Sequence, residues 1–254
     1  MYPFPLYSYT IPAITVEQMI LVDDLMINQY QISLIQMMEN AGRSLALTAN
    51  MLFLQGNPAG KTVVVLAGTG GNGGGALTCG RRLHNWGAHV IIALSRPQSE
   101  LKNAPRLQME ILRSLGVPVI SSEDLPNIAS PNLVIDGVIG YNLKGASSGA
   151  AAALIQWANS QTAPVLALDI PSGLDGSNGK TPGISIRATA TVTLALPKQG
   201  LYAATAQDHV GDLYLADISV PPELYAHPSL GLQIPADLFA HSDIVRLRFP
   251  IAPK

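Results

Sequence analysis

Lys61-Thr62-Val63-Val64-Val65-Leu66-Ala67-Gly68-Thr69-Gly70-Gly71-Asn72-Gly73-Gly74-Gly75 is the stretch on which the fold turns. Its apolar, β-branched first half reads as a strand buried on both faces, the kind found in parallel sheets. Six glycines in the eight residues from Gly68 then exceed what a plain strand-to-helix turn needs. Gly68, Gly70 and Gly73 satisfy the spacing G-x-G-x-x-G, which alone is a weak signal; its position between a strand and a helix gives it weight. Glycines let the backbone come close to a ligand, and free N–H groups at a helix start attract an anion such as a pyrophosphate.

Working outward from this stretch, short apolar runs alternate with helix-like segments, the pattern of βαβ units and an α/β sandwich with a mostly parallel central sheet. Strands are expected at 62–67, 89–94, 117–120, 133–136, 165–169, 190–196 and 213–216. Crossover helices are expected at 75–86, 107–115 and 150–160. The N-terminal part, 15–55, has helical periodicity and reads as two helices, the first starting at Thr15 with Gln18 at capping-box spacing. Gly56-Asn57-Pro58 then breaks the second helix. The sheet core is placed at 61–220, and the Pro-rich tail, 221–254, is expected to be irregular. Without a linker or low-complexity segment, 1–254 reads as one domain.

Composition narrows the function. Of 254 residues, 48% are apolar and only 13% charged, with 15 Lys+Arg against 17 Asp+Glu and a net charge of −2. Such a chain buries a large core, and disorder is excluded. No basic run exceeds the pair Arg81-Arg82, so no nucleic-acid partner is expected. No apolar run approaches the roughly 20 residues of a membrane span, and the N-terminus lacks a secretory pattern, so the expected location is cytoplasmic, with no membrane partner. The one cysteine, Cys79, reads as a small buried residue.

Two aspartates end apolar strands, Asp136 in Leu133-Val134-Ile135-Asp136-Gly137 and Asp169 in Leu166-Ala167-Leu168-Asp169-Ile170-Pro171-Ser172-Gly173. A carboxylate after buried apolar residues is costly unless it meets a cation, a donor or a substrate hydroxyl. Turn capping is the plainer explanation for either alone; two beside one glycine turn point to a site. A dehydrogenase would place an acid at the end of the second strand, where this chain has Ser95-Arg96. Arg96 there is a solvated arginine or a partner for a 2′-phosphate. No Lys-Ser or Lys-Thr follows the glycines, which excludes a nucleotide-triphosphatase loop. Gly145-Ala146-Ser147-Ser148-Gly149 matches G-x-S-x-G without the preceding strand that a nucleophile elbow requires.

Taken in order, Met38-Glu39-Asn40-Ala41-Gly42, the 67–75 turn, Val134-Ile135-Asp136-Gly137-Val138-Ile139-Gly140, Asp169-Ile170-Pro171-Ser172-Gly173-Leu174-Asp175-Gly176 and Pro197-Lys198-Gln199-Gly200-Leu201 resemble the NAD(P)H-hydrate epimerase family, the YjeF N-terminal domain. The resemblance runs over nearly the whole chain. It implies a Rossmann-like sandwich, a homodimer, and an isomerase that interconverts the R and S hydrates of NADH and NADPH. It also implies a potassium ion held by Asn72, Asp136 and Ser172. Substrate contacts correspond to Gly70, Gly71, Asn72, Gly73, Gly74 and Gly75, to Gly140, Tyr141, Asn142, Leu143, Lys144 and Gly145, and to Asp169. Asp136 is the first candidate for moving protons and Lys198 the second. The three oxygen ligands include one carboxylate, which favours a monovalent ion over calcium or magnesium; the plainer alternative is that these groups hydrogen-bond one another.

This chain departs from the family in the turn. Where the family carries Asn-Asn-Gly-Gly-Asp-Gly, it has Gly71-Asn72-Gly73-Gly74-Gly75-Ala76. The first Asn and the Asp are absent. Two readings follow: an altered epimerase, or a relative that binds a nucleotide or acts as a scaffold with weak catalysis.

Overall fold

The structure is a computed structural model that describes residues 3–249. One sheet of eight strands runs in the order β3-β2-β1-β4-β5-β6-β7-β8. The strands are β1 (Thr62–Ala67), β2 (His89–Leu94), β3 (Val119–Ile120), β4 (Leu133–Gly137), β5 (Val165–Leu168), β6 (Ala190–Leu194), β7 (Asp212–Ala216) and β8 (Ile244–Arg246). All neighbours are parallel except β7 and β8. The central strands are buried almost throughout, as their continuous apolar runs require.

The helices are α1 (Val16–Asn28), α2 (Leu34–Leu52), α3 (Gly71–Asn85), α4 (Asn103–Ser114), α5 (Gly149–Ser160), α6 (Gln207–Val210) and α7 (Pro222–Tyr225). Helices α2, α3 and α4 pack on one face of the sheet, with Leu45, Leu77, Cys79 and Met109 against Val63, Val65 and Ile92. Cys79 is buried, and burial pushes its thiol well above the usual range. Helix α5 covers the opposite face through Leu154, Ile155 and Ala158. Helix α1 joins a separate apolar cluster with Leu213, Leu215 and Val245. Its N-cap is the expected box, Gln18 N–H donating to Thr15 Oγ1 at 3.1 Å and Thr15 N–H to Gln18 Oε1 at 2.9 Å. Ser33 and Gln36 form the same box on α2.

Three expectations are corrected. The tail is not wholly irregular: β8 adds an antiparallel edge strand, and its three residues are too few to show a period. Part of the expected tail, 250–254, lies outside the described residues. Helix α3 starts at Gly71 rather than Gly75. Glycine is a poor helix former, so the sequence puts the boundary after the cluster; tertiary packing overrides this, since a Cβ at Gly73 would lie 1.9 Å from the carbonyl oxygen of Gly68. Strand ends also shift, with β3 beginning at Val119, β5 ending at Leu168 and β6 at Leu194.

The Met38–Gly42 motif lies on α2 where it crosses α3. Glu39 receives Arg81 Nη2 at 2.5 Å, Arg82 Nη2 at 3.0 Å and Gln108 Nε2 at 2.9 Å, so one carboxylate ties α2, α3 and α4 together. This clamp holds the second half of α3 to α2 and α4.

Candidate active site

Strands β1 and β4 are neighbours, yet the helices that follow them cover opposite faces of the sheet. Their carboxyl ends therefore flank a topological switch point, where open α/β sheets bind ligands. A cavity of about 240 Å³ opens there, floored by the ends of the strands and roofed by Met19 and Asp23 of α1 and Met37 and Met38 of α2. Among expected site residues, Gly70, Gly71, Asn72, Gly73, Gly140, Tyr141, Asn142, Asp169 and Lys198 line it. Gly74 and Gly75 do not; they are buried on α3, against Met38 and Leu168. Leu143, Lys144 and Gly145 lie further along the loop that leads to α5.

Asp136 and Ser172 are fully buried and stand outside the cavity lining. Asp136 Oδ1 accepts Ser172 Oγ–H at 2.6 Å and Val138 N–H at 3.2 Å, and Oδ2 accepts Ser172 N–H at 2.8 Å. Ser172 Oγ in turn accepts Ile139 N–H at 2.8 Å. The cluster thus pins the 138–140 segment to the Ser172 turn. Burial pushes the Asp136 carboxyl up to about 6, against the pull of these donors. Asn72 Nδ2 donates to Leu168 O at 2.7 Å. Its Oδ1 faces Gly140, where a Cβ would sit only 2.7 Å away, so glycine alone permits the approach. The oxygens of Asn72, Asp136 and Ser172 are hard donors around one carboxylate. Among the described residues, no three His, Cys, Asp or Glu side chains gather to hold a metal.

The end of β5 differs. Asp169 Oδ1 pairs with Lys198 Nζ in an ion pair, with 0% of the lysine side chain and 2% of the aspartate exposed. Thr193 Oγ1 and Leu194 N–H donate to the same oxygen at 3.2 Å, and Lys198 Nζ donates to Leu194 O at 2.9 Å. Lys198 also lies 5.9 Å from the Tyr141 ring centroid, within reach of a cation–π interaction. Asp169 itself has a left-handed backbone, φ 65°, as do Ala195 at 62° and Ser219 at 71°. Such residues cost about 1–3 kcal/mol each and persist where surrounding structure over-determines them. All three directly follow a residue that lines the cavity: Leu168, Leu194 and Ile218.

Sequence reasoning missed Asp23. Its carboxylate Oδ2 accepts the hydroxyl of Tyr141 in a short hydrogen bond. Burial raises the Asp23 carboxyl, and burial together with Asp23 holds Tyr141 protonated. A signal was present: Asp23 lies four residues after Met19 and three before Met26, an acid on the buried stripe of an amphipathic helix.

The doubly wound sheet, the glycine turn at the switch point and the buried ion pair define a Rossmann-like ligand-binding α/β sandwich. The family described as YjeF-related protein N-terminus matches residues 34–200, and the chain belongs to that family. It is 41% identical over 87% of its length, and 87% of the other chain, to a protein of Dehalogenimonas lykanthroporepellens named NAD(P)H-hydrate epimerase. A protein of the same name from Rhodopirellula baltica is 32% identical over 84% of this chain and 87% of its own. A Moorella thermoacetica protein named bifunctional NAD(P)H-hydrate repair enzyme Nnr is 33% identical over 92% of this chain, which spans 45% of that longer protein. The crystal structure of yeast ynu0 shares the fold, with a TM-score of 0.74 and 24% identity over 93% of this chain and 100% of the other. Among the described residues, no helix is long and apolar enough to cross a membrane.

Proposed function

We propose that the chain is an NAD(P)H-hydrate epimerase, interconverting the R and S hydrates of NADH and NADPH. The observation that carries this reading is the 41% identity to a relative of that name over most of both chains. The site's chemistry is consistent with it. A cavity of about 240 Å³ suits a hydrated nicotinamide ring rather than a whole dinucleotide, which leaves the pyrophosphate for the N–H groups of the Gly70–Gly73 turn.

Water added across the enamine double bond of a dihydronicotinamide places its hydroxyl on the carbon bonded to nitrogen. Epimerisation then needs that hydroxyl to leave as water, pushed by the nitrogen lone pair, and water to return on the other face. A proton donor beside the hydroxyl lowers the barrier. Of the two candidates, Asp136 and Lys198, the geometry favours Lys198: it lines the cavity, whereas both Asp136 oxygens are engaged behind its wall. Asp169 pairs with the Lys198 ammonium and orients it.

Asn72, Asp136 and Ser172 fit a monovalent cation by the chemistry of their oxygens, and Asp136 is a buried carboxylate whose partners among the described residues are neutral donors. Potassium there would supply the positive charge this carboxylate lacks and stiffen the 138–140 segment beneath the ring. The homodimer belongs to the same reading. Leu107, Ile111 and Leu115, 42%, 40% and 42% exposed, form an apolar stripe on and just beyond α4 that a second copy would cover.

The test uses purified full-length protein with the separated R hydrates of NADH and NADPH in potassium buffer, the S forms being followed by chromatography. Conversion well above the spontaneous rate is expected. Conversion at the background rate for both hydrates would sink the reading.

A further inference from the structure

The geometry points to a second acid/base group in this cavity: Asp23 of α1, acting through the Tyr141 hydroxyl that it holds. This inference rests on the epimerase reading and names a residue outside the 34–200 segment matched by the family.

The stereochemistry calls for two groups. The hydroxyl departs from one face of the ring and water arrives on the other, so one fixed side chain cannot serve both without the ring turning over in its pocket. The cavity offers a second group on a different element. Lys198 and Asp169 rise from the loops after β6 and β5, while Asp23 comes from α1 and Tyr141 from the loop after β4.

Asp23 is costly where it is. Its helix face otherwise buries Met19, Val22 and Met26, and an apolar side chain there would avoid desolvating a carboxylate. It has no ion-pair partner among the described residues. Its Oδ2 accepts the Tyr141 hydroxyl, and no donor reaches Oδ1 among the described residues. The titratable or charged groups facing it are Tyr141, Lys198 and Asp169 around the cavity and Tyr225 on α7. A carboxylate that accepts from a phenol, both lining the cavity beside Lys198 and Asp169, is built to take or give a proton.

In the step, the carbon–oxygen bond breaks as the ring nitrogen forms a double bond to carbon, and Lys198 gives its proton to the departing oxygen, which leaves as water. A water on the other face then bonds to the same carbon. Its proton passes to Tyr141 Oη, the phenol proton passes to Asp23 Oδ2, and the electron pair returns to nitrogen. Solvent carries the proton from Asp23 back to Lys198. No electrons are gained or lost overall. The reverse epimerisation runs the same path with the roles exchanged.

The test compares wild type with Asp23→Asn, Asp23→Glu and Tyr141→Phe, measuring kcat, KM and the pH profile of kcat, with thermal unfolding as a folding control. Asp23→Asn is expected to lower kcat by about 100-fold, with KM within a few-fold and one limb of the pH profile lost. Tyr141→Phe should lower kcat without loss of folding, and Asp23→Glu should restore part of the activity. An active wild type whose Asp23→Asn and Tyr141→Phe variants keep its kcat and pH profile would overturn the inference and leave the epimerase reading intact. If Asp23→Asn fails to fold, Tyr141→Phe decides alone. A wild type that converts neither hydrate overturns the epimerase reading itself, and this inference with it.

Discussion

The ends of β4 and β5 carry the same signature, an aspartate after an apolar run, and the fold gives them opposite surroundings. Asp136 is enclosed by neutral donors from its own loop and the Ser172 turn, and burial raises its carboxyl to about 6. Asp169 has a buried ammonium against it and opens on the cavity. A buried carboxylate's role is thus set by its counter-charge, which arrives from elsewhere in the chain.

The largest effect should come from removing that counter-charge. Lys198→Met strands Asp169 as an unpaired buried charge, which costs about 3–5 kcal/mol when one partner of a buried pair is lost. Urea unfolding should show this loss, and turnover should fall with it. Lys198→Met/Asp169→Asn removes the orphan charge, and Asn tolerates the left-handed backbone at that position. The double variant should be more stable than the single one. Equal stabilities would mean that the pair is not coupled, and the contrast between the two strand ends would collapse.

Next comes pH. The folded Asp136 carboxyl sits at about 6, above its ordinary value of 3.8, so protonation favours the folded state. Its contribution is complete below the ordinary value and is lost as pH rises through about 6. At about 1.4 kcal/mol per unit, the swing is on the order of 3 kcal/mol. Asp136→Asn should flatten that part of the stability profile. Potassium chloride should flatten it in wild type relative to choline chloride, because a cation favours the ionised form. A slope that persists in Asp136→Asn would assign it to another group.

The smallest effect concerns the turn's departure from its family. A Cβ at Gly75 would lie 2.7 Å from Leu168 Cδ2, directly before Asp169. Gly75→Asp should therefore cost about 1–3 kcal/mol and lower turnover by displacing Leu168. Leu168→Val in the same chain should recover part of both by making room. Higher turnover in Gly75→Asp alone would show that the glycine, and not the packing around it, limits this site.

Much of the site was legible because its parts are local. A strand, a glycine turn and an aspartate at a strand end are each written in a few consecutive residues, so the switch point and both aspartates can be read directly. The start of α3 was misplaced because helix propensity argues against glycine and only the close pass of Gly73 over Gly68 reverses it. Asp23 went unread although its place on an apolar stripe marked it, because its partner Tyr141 lies far along the chain.

The sequence by itself determined the alternation of buried strands and helices, the parallel sheet and the glycine turn at its carboxyl edge, since periodicity and backbone freedom are properties of short segments. Tertiary structure alone decided which aspartate meets Lys198, which oxygens surround Asp136, and that α1 brings a carboxylate over the cavity. Those outcomes depend on burial and counter-charge, and both come into being only when distant segments share one low-dielectric interior.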